Sequence, residues 1–213
     1  MNLSEIKKQN KEQMLQNMDL LIFKIFAFLT LLIFTFYISD FRNKKGMIPI
    51  INKKLTFFLK IFYFVPIFIY LYVIINLKDI FIHTYLGLFF TFLGLYLVSK
   101  AKIDLGKYHT WAGHLLHSTK MITEGIYAFI RHPLYTGIFT FITGAIILSI
   151  DNNPFTFLST TIIIIFVFLI VIFLVISALR EDKFLEKKFG DNFNKYKKRV
   201  HPCFPVRKFV FEE

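Results

Sequence analysis

Residues 125–137 read GIYAFIRHPLYTG and stand directly before a long apolar run. Polar, cationic, aromatic and helix-breaking residues crowd together in this stretch. Pro133 lacks a backbone donor and disfavours the helical conformation for the residue before it, so an apolar helix is predicted to begin near Leu134. Arg131 and His132 then lie just outside that helix, at a membrane–water boundary.

The remainder of the chain is apolar enough to indicate a membrane protein. Of the 213 residues, 55% are hydrophobic, and the charges are confined to a few blocks. A soluble domain of this length needs a polar surface that such long apolar runs cannot provide. We therefore predict an all-α, polytopic membrane protein of one domain, residues 1–213, with about five transmembrane helices and a cytoplasmic C-terminal helical cap.

Five stretches are predicted to span the membrane: residues 20–39, 55–76, 80–99, 134–150 and 155–179. The last stretch continues without Gly or Pro to residue 189. At about 1.5 Å per residue, such a helix is roughly 50 Å long, whereas the hydrocarbon layer is about 30 Å thick. Its charged end is therefore expected to project from the membrane.

A second helix is predicted after this projecting end. Gly190 is expected to stop the long helix, and Asp191 or Asn192 to cap the next one. Phe193, Tyr196 and Val200 then recur at helical spacing and give one apolar stripe.

The Lys and Arg residues of the loops predict the orientation. If the two basic loops and the C-terminal tail share one side, that side holds 20 of the 26 Lys and Arg residues, against four on the other side. The positive-inside rule then places the N-terminus outside and the C-terminus in the cytoplasm. The bias toward Phe, Ile, Lys and Asn is typical of an AT-rich prokaryotic genome, so a bacterial inner membrane is expected.

Composition also excludes several kinds of site. Most of the basic residues behind the net charge of +12 lie outside the apolar runs, where they are expected to set the topology and to contact anionic lipid. No RNA- or DNA-binding motif accompanies them, so no nucleic-acid partner is predicted. Cys203 is the single cysteine, which excludes an internal disulfide. His109, His114 and His117 lie close together, but no carboxylate or cysteine stands at ligand spacing, so no metal site is predicted.

Two motifs resemble a known family. The pattern Gly-x-Tyr-x-x-x-Arg-His-Pro-x-Tyr-x-Gly over residues 125–137 resembles the signature of the isoprenylcysteine carboxyl methyltransferases and their relatives, the phospholipid N-methyltransferases. A later pattern is similar to the same family: Glu181-Asp182, Leu185, Phe189-Gly190, Tyr196, Lys197-Lys198-Arg199-Val200 and Pro205. With Leu105-Gly106 upstream, the resemblance covers about half of the chain.

This resemblance implies methyl transfer from S-adenosylmethionine to a lipid or lipid-like acceptor. In that family the cofactor lies in a cytoplasmic pocket closed by the C-terminal helices. Residues 1–104 would then form three N-terminal helices, and residues 105–213 the catalytic half with the cofactor pocket. The family's cofactor contacts fall on Thr119, Lys120, Met121, Ile122, Tyr127, His132, Pro133, Leu134, Tyr135 and Glu181.

The predicted catalytic residues are Arg131, His132 and Glu181. Glu181 is expected to hold the cofactor's ammonium or ribose hydroxyls. His132 is expected to bind the cofactor's carboxylate, or to act as a base if the acceptor is an amine. Arg131 would pair with that carboxylate or with an acidic lipid headgroup. Tyr127 and Tyr135 offer aromatic faces to the sulfonium or the adenine.

Two other functions remain open at this point. Membrane sterol reductases share a related architecture and bind NADPH in a comparable C-terminal pocket, although this chain has no obvious basic site for the 2′-phosphate. A non-enzymatic lipid-binding protein would use the motif as an interfacial anchor. For the tail, the expectation is a solvated basic helix face on anionic lipid, with phenylalanines in the headgroup layer. The lysines concerned are Lys183, Lys187, Lys188, Lys195, Lys197 and Lys198.

Overall fold

The computed structural model describes residues 3–39, 45–52, 56–57, 64–110, 113–150 and 156–203. The helices in this part of the chain are α1 Leu3–Ile38, α2 Phe64–Asn76, α3 Ile82–Leu105, α4 Pro133–Leu148, α5 Phe157–Phe189 and α6 Asp191–Arg199. Short 3₁₀ helices cover Gly106–Tyr108 and Gly125–Ala128, and two strands cover β1 Met47–Pro49 and β2 His114–Leu116.

Within the described residues, three helices are long and apolar enough to cross a membrane: Ser4–Ile38, Ile82–Tyr108 and Thr160–Phe189. Two shorter helices, α2 and α4, are also apolar. Large apolar side chains such as Phe68, Phe92 and Phe168 are exposed on the outside of this bundle. The chain is therefore an integral membrane protein. Residues 55 and 58–63 of the second predicted span, the turn at 151–154 and residue 155 of the fifth predicted span lie outside the described residues.

Helices α1 and α3 are longer than the apolar stretches that predicted them. α1 begins at Leu3 rather than near residue 20, because neither Gly nor Pro interrupts the chain from there to Ile38. α3 continues past residue 99 to Leu105. An ion pair between Lys100 Nζ and Asp104 Oδ1, 2.6 Å apart, stabilises its last turns.

The described residues are mostly helical, as the sequence predicted, and a small antiparallel ribbon that was not predicted joins two of the loops. β1 pairs with β2 so that Met47 faces Leu116 and Pro49 faces His114. Each strand has only three residues, too few for an alternating pattern to be read from the sequence. The ribbon ties the first basic loop to the loop that precedes the motif.

The long helix and its stop follow the prediction, but the cap of the next helix does not. α5 is continuous over 33 residues, and the N–H of Gly190 donates to the carbonyl oxygen of Glu186 at 2.9 Å. Gly190 has φ +54°, a conformation that favours glycine, and it is also the N-cap of α6. The predicted capping by Asp191 or Asn192 was therefore wrong, since Asp191 is already in the first turn.

Close contact between α3 and α4 positions the motif. Gly87 and Gly94 on α3 face Gly144 and Gly137 on α4, and a Cβ added to Gly94 would lie 2.5 Å from the backbone nitrogen of Phe141. Small residues allow membrane helices to approach this closely. The start of α4 is thereby held against the end of α3.

Gly94→Ala is expected to destabilise the protein by about 2 kcal/mol, because the new Cβ must push the α4 backbone away. The thermal midpoint in detergent measures the effect. Phe92→Ala, at a side chain that is 52% exposed on the outside of the same helix, is the control and should change the midpoint much less. Equal midpoints for Gly94→Ala and the unmodified protein would contradict the close contact.

Candidate active site

A cavity that is partly open to solvent lies where the end of α3, the loop before the motif, α4, α5 and α6 meet. The structure brings every sequence-predicted site residue to the walls of this cavity: Thr119, Lys120, Met121, Ile122, Tyr127, Arg131, His132, Pro133, Leu134, Tyr135 and Glu181. Their roles toward a cofactor stay predictions.

The first residue of the motif, Gly125, has no room for a side chain because the carboxylate of Asp104 lies beside it. Asp104 accepts a hydrogen bond from the backbone N–H of Ile126 at 2.8 Å, and its carboxylate fills the space that a Cβ on Gly125 would need. This contact fixes the turn that carries Tyr127, whose hydroxyl donates to the carbonyl of Ala101 at 3.4 Å. Burial raises the pKa of Tyr127 well above its ordinary value, so the hydroxyl remains protonated.

Asp182 joins the two basic residues of the motif. Its Oδ2 accepts a hydrogen bond from Arg131 Nη1 at 2.8 Å, and its Oδ1 lies 3.0 Å from His132 Nε2. On the other side of the imidazole, His132 Nδ1 is 3.7 Å from Glu181 Oε2. The side chains of Arg131, His132 and Asp182 are 8%, 5% and 11% exposed. A nearly dry cluster of alternating charge therefore connects the start of α4 with the end of α5.

This cluster sets the charge of the imidazole. Burial lowers the pKa of His132, but the hydrogen bonds with Asp182 and Glu181 outweigh burial and raise the pKa to about 9. The ring is therefore an imidazolium at neutral pH, and both of its nitrogens face carboxylates. It stacks on the ring of Tyr135 with a centroid separation of 5.7 Å. In this structure Asp182 binds both Arg131 and His132, the two residues that the sequence analysis predicted to bind the carboxylate of the cofactor.

The stability of the folded protein is expected to fall as the pH rises. The pKa of His132 is about 9 when folded, above the ordinary 6.5, so its charge stabilises the fold fully below about pH 6.5 and this contribution is lost as the pH rises through 9. Thermal midpoints in detergent at about pH 6.5 and about pH 9.5 measure the loss. His132→Gln should flatten this dependence. An unchanged slope in that variant would show that another group is responsible.

The comparison with known families covers the residues of this charged cluster. A sequence model of the family described as phospholipid methyltransferase matches residues 82–192, slightly more than half of the chain. The chain belongs to the phospholipid methyltransferase family. The matched residues include both the Arg-His-Pro motif and the acidic pair, and the resemblance seen in the sequence is thereby confirmed.

One relative in the comparison is a eukaryotic protein. The chain is 32% identical over 122 residues to the protein-S-isoprenylcysteine O-methyltransferase of Schizosaccharomyces pombe. The match covers 55% of this chain and 47% of that relative. This phospholipid methyltransferase family member thus spans about half the length of the curated relative it matches.

Helix α6 closes one wall of the cavity in this member of the phospholipid methyltransferase family. The predicted apolar stripe of Phe193, Tyr196 and Val200 is buried, and it packs on Met121 and Leu185. Because Phe193 is only 1% exposed, the expectation of phenylalanines in the headgroup layer was wrong for this residue.

The tail after α6 is bonded to the backbone of the motif. His201 forms a parallel bridge with Ile130, the N–H of Arg131 donates to the carbonyl of His201 at 3.0 Å, and that of His132 donates to Pro202 at 2.9 Å. The hydroxyl of Tyr196 adds a bond to the carbonyl of Tyr127 at 2.7 Å. The motif is therefore held from the α3 side and from the tail side at once.

Several residues at the site were not selected from the sequence. Asp182 was named only as part of the acidic pair, although two adjacent carboxylates opposite an Arg-His pair were a usable signal. Four other residues of the cavity wall were part of a sequence pattern but were not predicted as site residues: His109, Leu185, Phe193 and Tyr196. No pattern marked Tyr108, Thr110 and Leu115, which also line the cavity.

Proposed function

We propose that this protein is an integral-membrane methyltransferase that uses S-adenosylmethionine and acts on a lipid or lipid-like acceptor. The observation that carries the proposal is the meeting, in one cavity, of the Arg-His-Pro motif at the start of α4 and the acidic pair at the end of α5. Membership of the phospholipid methyltransferase family supports the reaction class. The S. pombe relative, named as an O-methyltransferase of protein S-isoprenylcysteine, supports an acceptor that carries a lipid.

The cavity wall fits the carboxylate end of such a cofactor. Arg131 Nε is buried and has no hydrogen-bond partner among the described residues. A buried donor without a partner costs about 1–3 kcal/mol, so a ligand with acceptor oxygens gains by contacting it. Glu181, whose side chain is 25% exposed, keeps a carboxylate edge accessible for the ammonium or the ribose hydroxyls.

The remaining residues exclude water and orient the reactants. S-adenosylmethionine supplies a methyl group on a positively charged sulfur, which is already an activated electrophile. Alignment in a dry pocket can therefore account for much of the rate. Tyr127 and Tyr135 provide aromatic faces that attract a cation. Pro133 and Leu134 give apolar wall, and the loop 119–122 closes the cavity from the other side.

The charge on His132 favours an acceptor that needs no base. Because the imidazole is protonated and both nitrogens face carboxylates, we assign it to holding Glu181 in place. An anionic oxygen, such as a carboxylate, is nucleophilic without losing a proton, whereas an ammonium is not. The acceptor is proposed to enter between helices from the bilayer.

For the topology, we propose five spans, an outside N-terminus and a cytoplasmic C-terminus in a bacterial inner membrane. The length of α5 supports this arrangement: its 33 residues extend roughly 50 Å, longer than the hydrocarbon layer of about 30 Å. Its charged residues begin only at Arg180, so the acidic pair would lie at the cytoplasmic interface together with the basic loops.

Calorimetric titration of the purified protein with S-adenosylmethionine and with NADPH tests the proposal. Binding of the first compound alone is the expected result, and binding of NADPH alone would indicate a reductase. The absence of binding by either would leave a lipid-binding protein. A mass-spectrometric comparison of methylated lipids in cells with and without the protein then identifies the acceptor.

A further inference from the structure

Lys188, near the end of α5, bonds to a loop of the cavity. Its Nζ donates to the carbonyl oxygen of His117 and, at 2.9 Å, to that of Thr119. Lys188 is exposed, as the sequence predicted for this helix face, but its bonds to the loop were not predicted. Two carbonyls of one turn therefore share a single cation from another element.

This loop is attached at both ends. On the upstream side, the N–H of His117 donates to the carbonyl of Gly46 at 2.9 Å, next to the β1–β2 ribbon. On the downstream side, Met121 packs on the buried cluster of α6 that contains Phe193. The intervening residues 119–122 form a wall of the cavity. Lys188 holds the loop between these two attachments, at the turn that begins this wall.

We propose that Lys188 is a positioning residue: its ammonium, bridging the carbonyls of His117 and Thr119, holds the loop 117–122 in the conformation that binds the cofactor. This inference rests on the proposed function of the same cavity. Hydrogen bonds to a charged donor are stronger than those between neutral groups. Without the ammonium, a ligand would have to order the loop as it binds, and ordering opposes binding.

Three variants separate this role from a general effect of charge. Lys188→Met removes the ammonium but keeps an unbranched apolar chain. Lys188→Arg keeps a cationic donor and should rescue binding. Lys187→Met removes the charge from the preceding residue, which is exposed, and is the matched control.

Two measurements on the purified full-length protein are needed. Hydrogen–deuterium exchange without ligand reports on the loop, and calorimetry with S-adenosylhomocysteine reports on affinity. For Lys188→Met, we expect faster exchange in residues 117–122 and a Kd raised about tenfold, with a ligand-free thermal midpoint within about 2 °C of the unmodified protein. Lys188→Arg and Lys187→Met should remain close to the unmodified protein in both measurements.

Each result has one meaning. Unchanged exchange in Lys188→Met overturns the proposed clamp, and faster exchange with an unchanged Kd overturns its role in cofactor binding. A large loss of the thermal midpoint that arginine does not restore makes Lys188 structural only, which also overturns the proposal. If the unmodified protein binds neither S-adenosylmethionine nor S-adenosylhomocysteine, the proposed function fails instead, and the exchange result still decides whether the clamp exists.

Discussion

Replacement of Glu181 by alanine is expected to abolish S-adenosylmethionine binding while the protein still inserts and folds. Glu181 is the carboxylate of the acidic pair that keeps an accessible edge at the cavity, and it also faces the charged ring of His132. Its removal takes away a charged partner for the ligand and leaves the imidazolium with one carboxylate. We expect the Kd to rise at least about 100-fold, equivalent to about 3 kcal/mol. Calorimetry measures this change directly.

The control for Glu181→Ala is Lys187→Ala, on the exposed part of the same helix, which should bind as the unmodified protein does.

His132→Ala is expected to abolish binding as well, because it removes the group that fixes both carboxylates. An unchanged affinity in Glu181→Ala or His132→Ala would refute the assignment of the site. A detergent-soluble monodisperse peak at the normal elution volume verifies that each variant has folded.

Replacement of Asp182 by alanine is expected to have the largest effect on stability. The variant leaves Arg131 buried without its carboxylate and His132 without its closest partner, 2.8 Å and 3.0 Å away in the structure. Removing one member of a buried ion pair typically destabilises by about 3–5 kcal/mol. We therefore expect a low yield of folded protein and a strongly reduced thermal midpoint in detergent.

Two further variants show whether the loss of stability in Asp182→Ala comes from the burial of the ion pair. Asp182→Glu restores a carboxylate at the same position and should recover much of the midpoint. Glu186→Ala removes an exposed carboxylate that lies 3.7 Å from Lys197 on the same part of the protein, and exposed pairs are worth at most about 1 kcal/mol. If Asp182→Ala is as mild as Glu186→Ala, the charge cluster does not hold the two motifs together.

The membrane-spanning part of this fold was predictable because few backbone structures are stable in lipid. Long apolar stretches in lipid must be helices, since every backbone group has to be bonded within the protein. The start of α4 at Pro133 and the stop of α5 at Gly190 followed from the local preferences of proline and glycine. The length of α5 suggested that the acidic pair lies beyond its apolar part, and the structure brings that pair to the motif.

The contacts between loops were not predictable from the same rules. The β1–β2 ribbon and the bridge between Ile130 and His201 are backbone pairings, which leave little trace in the choice of side chains. The bond between Lys188 and Thr119 joins residues 69 positions apart, and a lysine that binds carbonyls has the same sequence pattern as a solvated one. Residues at such long range are identified only when their positions in space are known.

The attachment of the tail to the motif also constrains how this protein is made. The chain leaves the ribosome from its N-terminus, so the Arg-His-Pro stretch emerges before residues 191–202. Because those later residues supply a wall of the cavity and bond to the backbone of Arg131 and His132, a nascent chain lacks the complete binding site. The proposed activity would therefore require that residues 191–202 have left the ribosome and folded onto the motif.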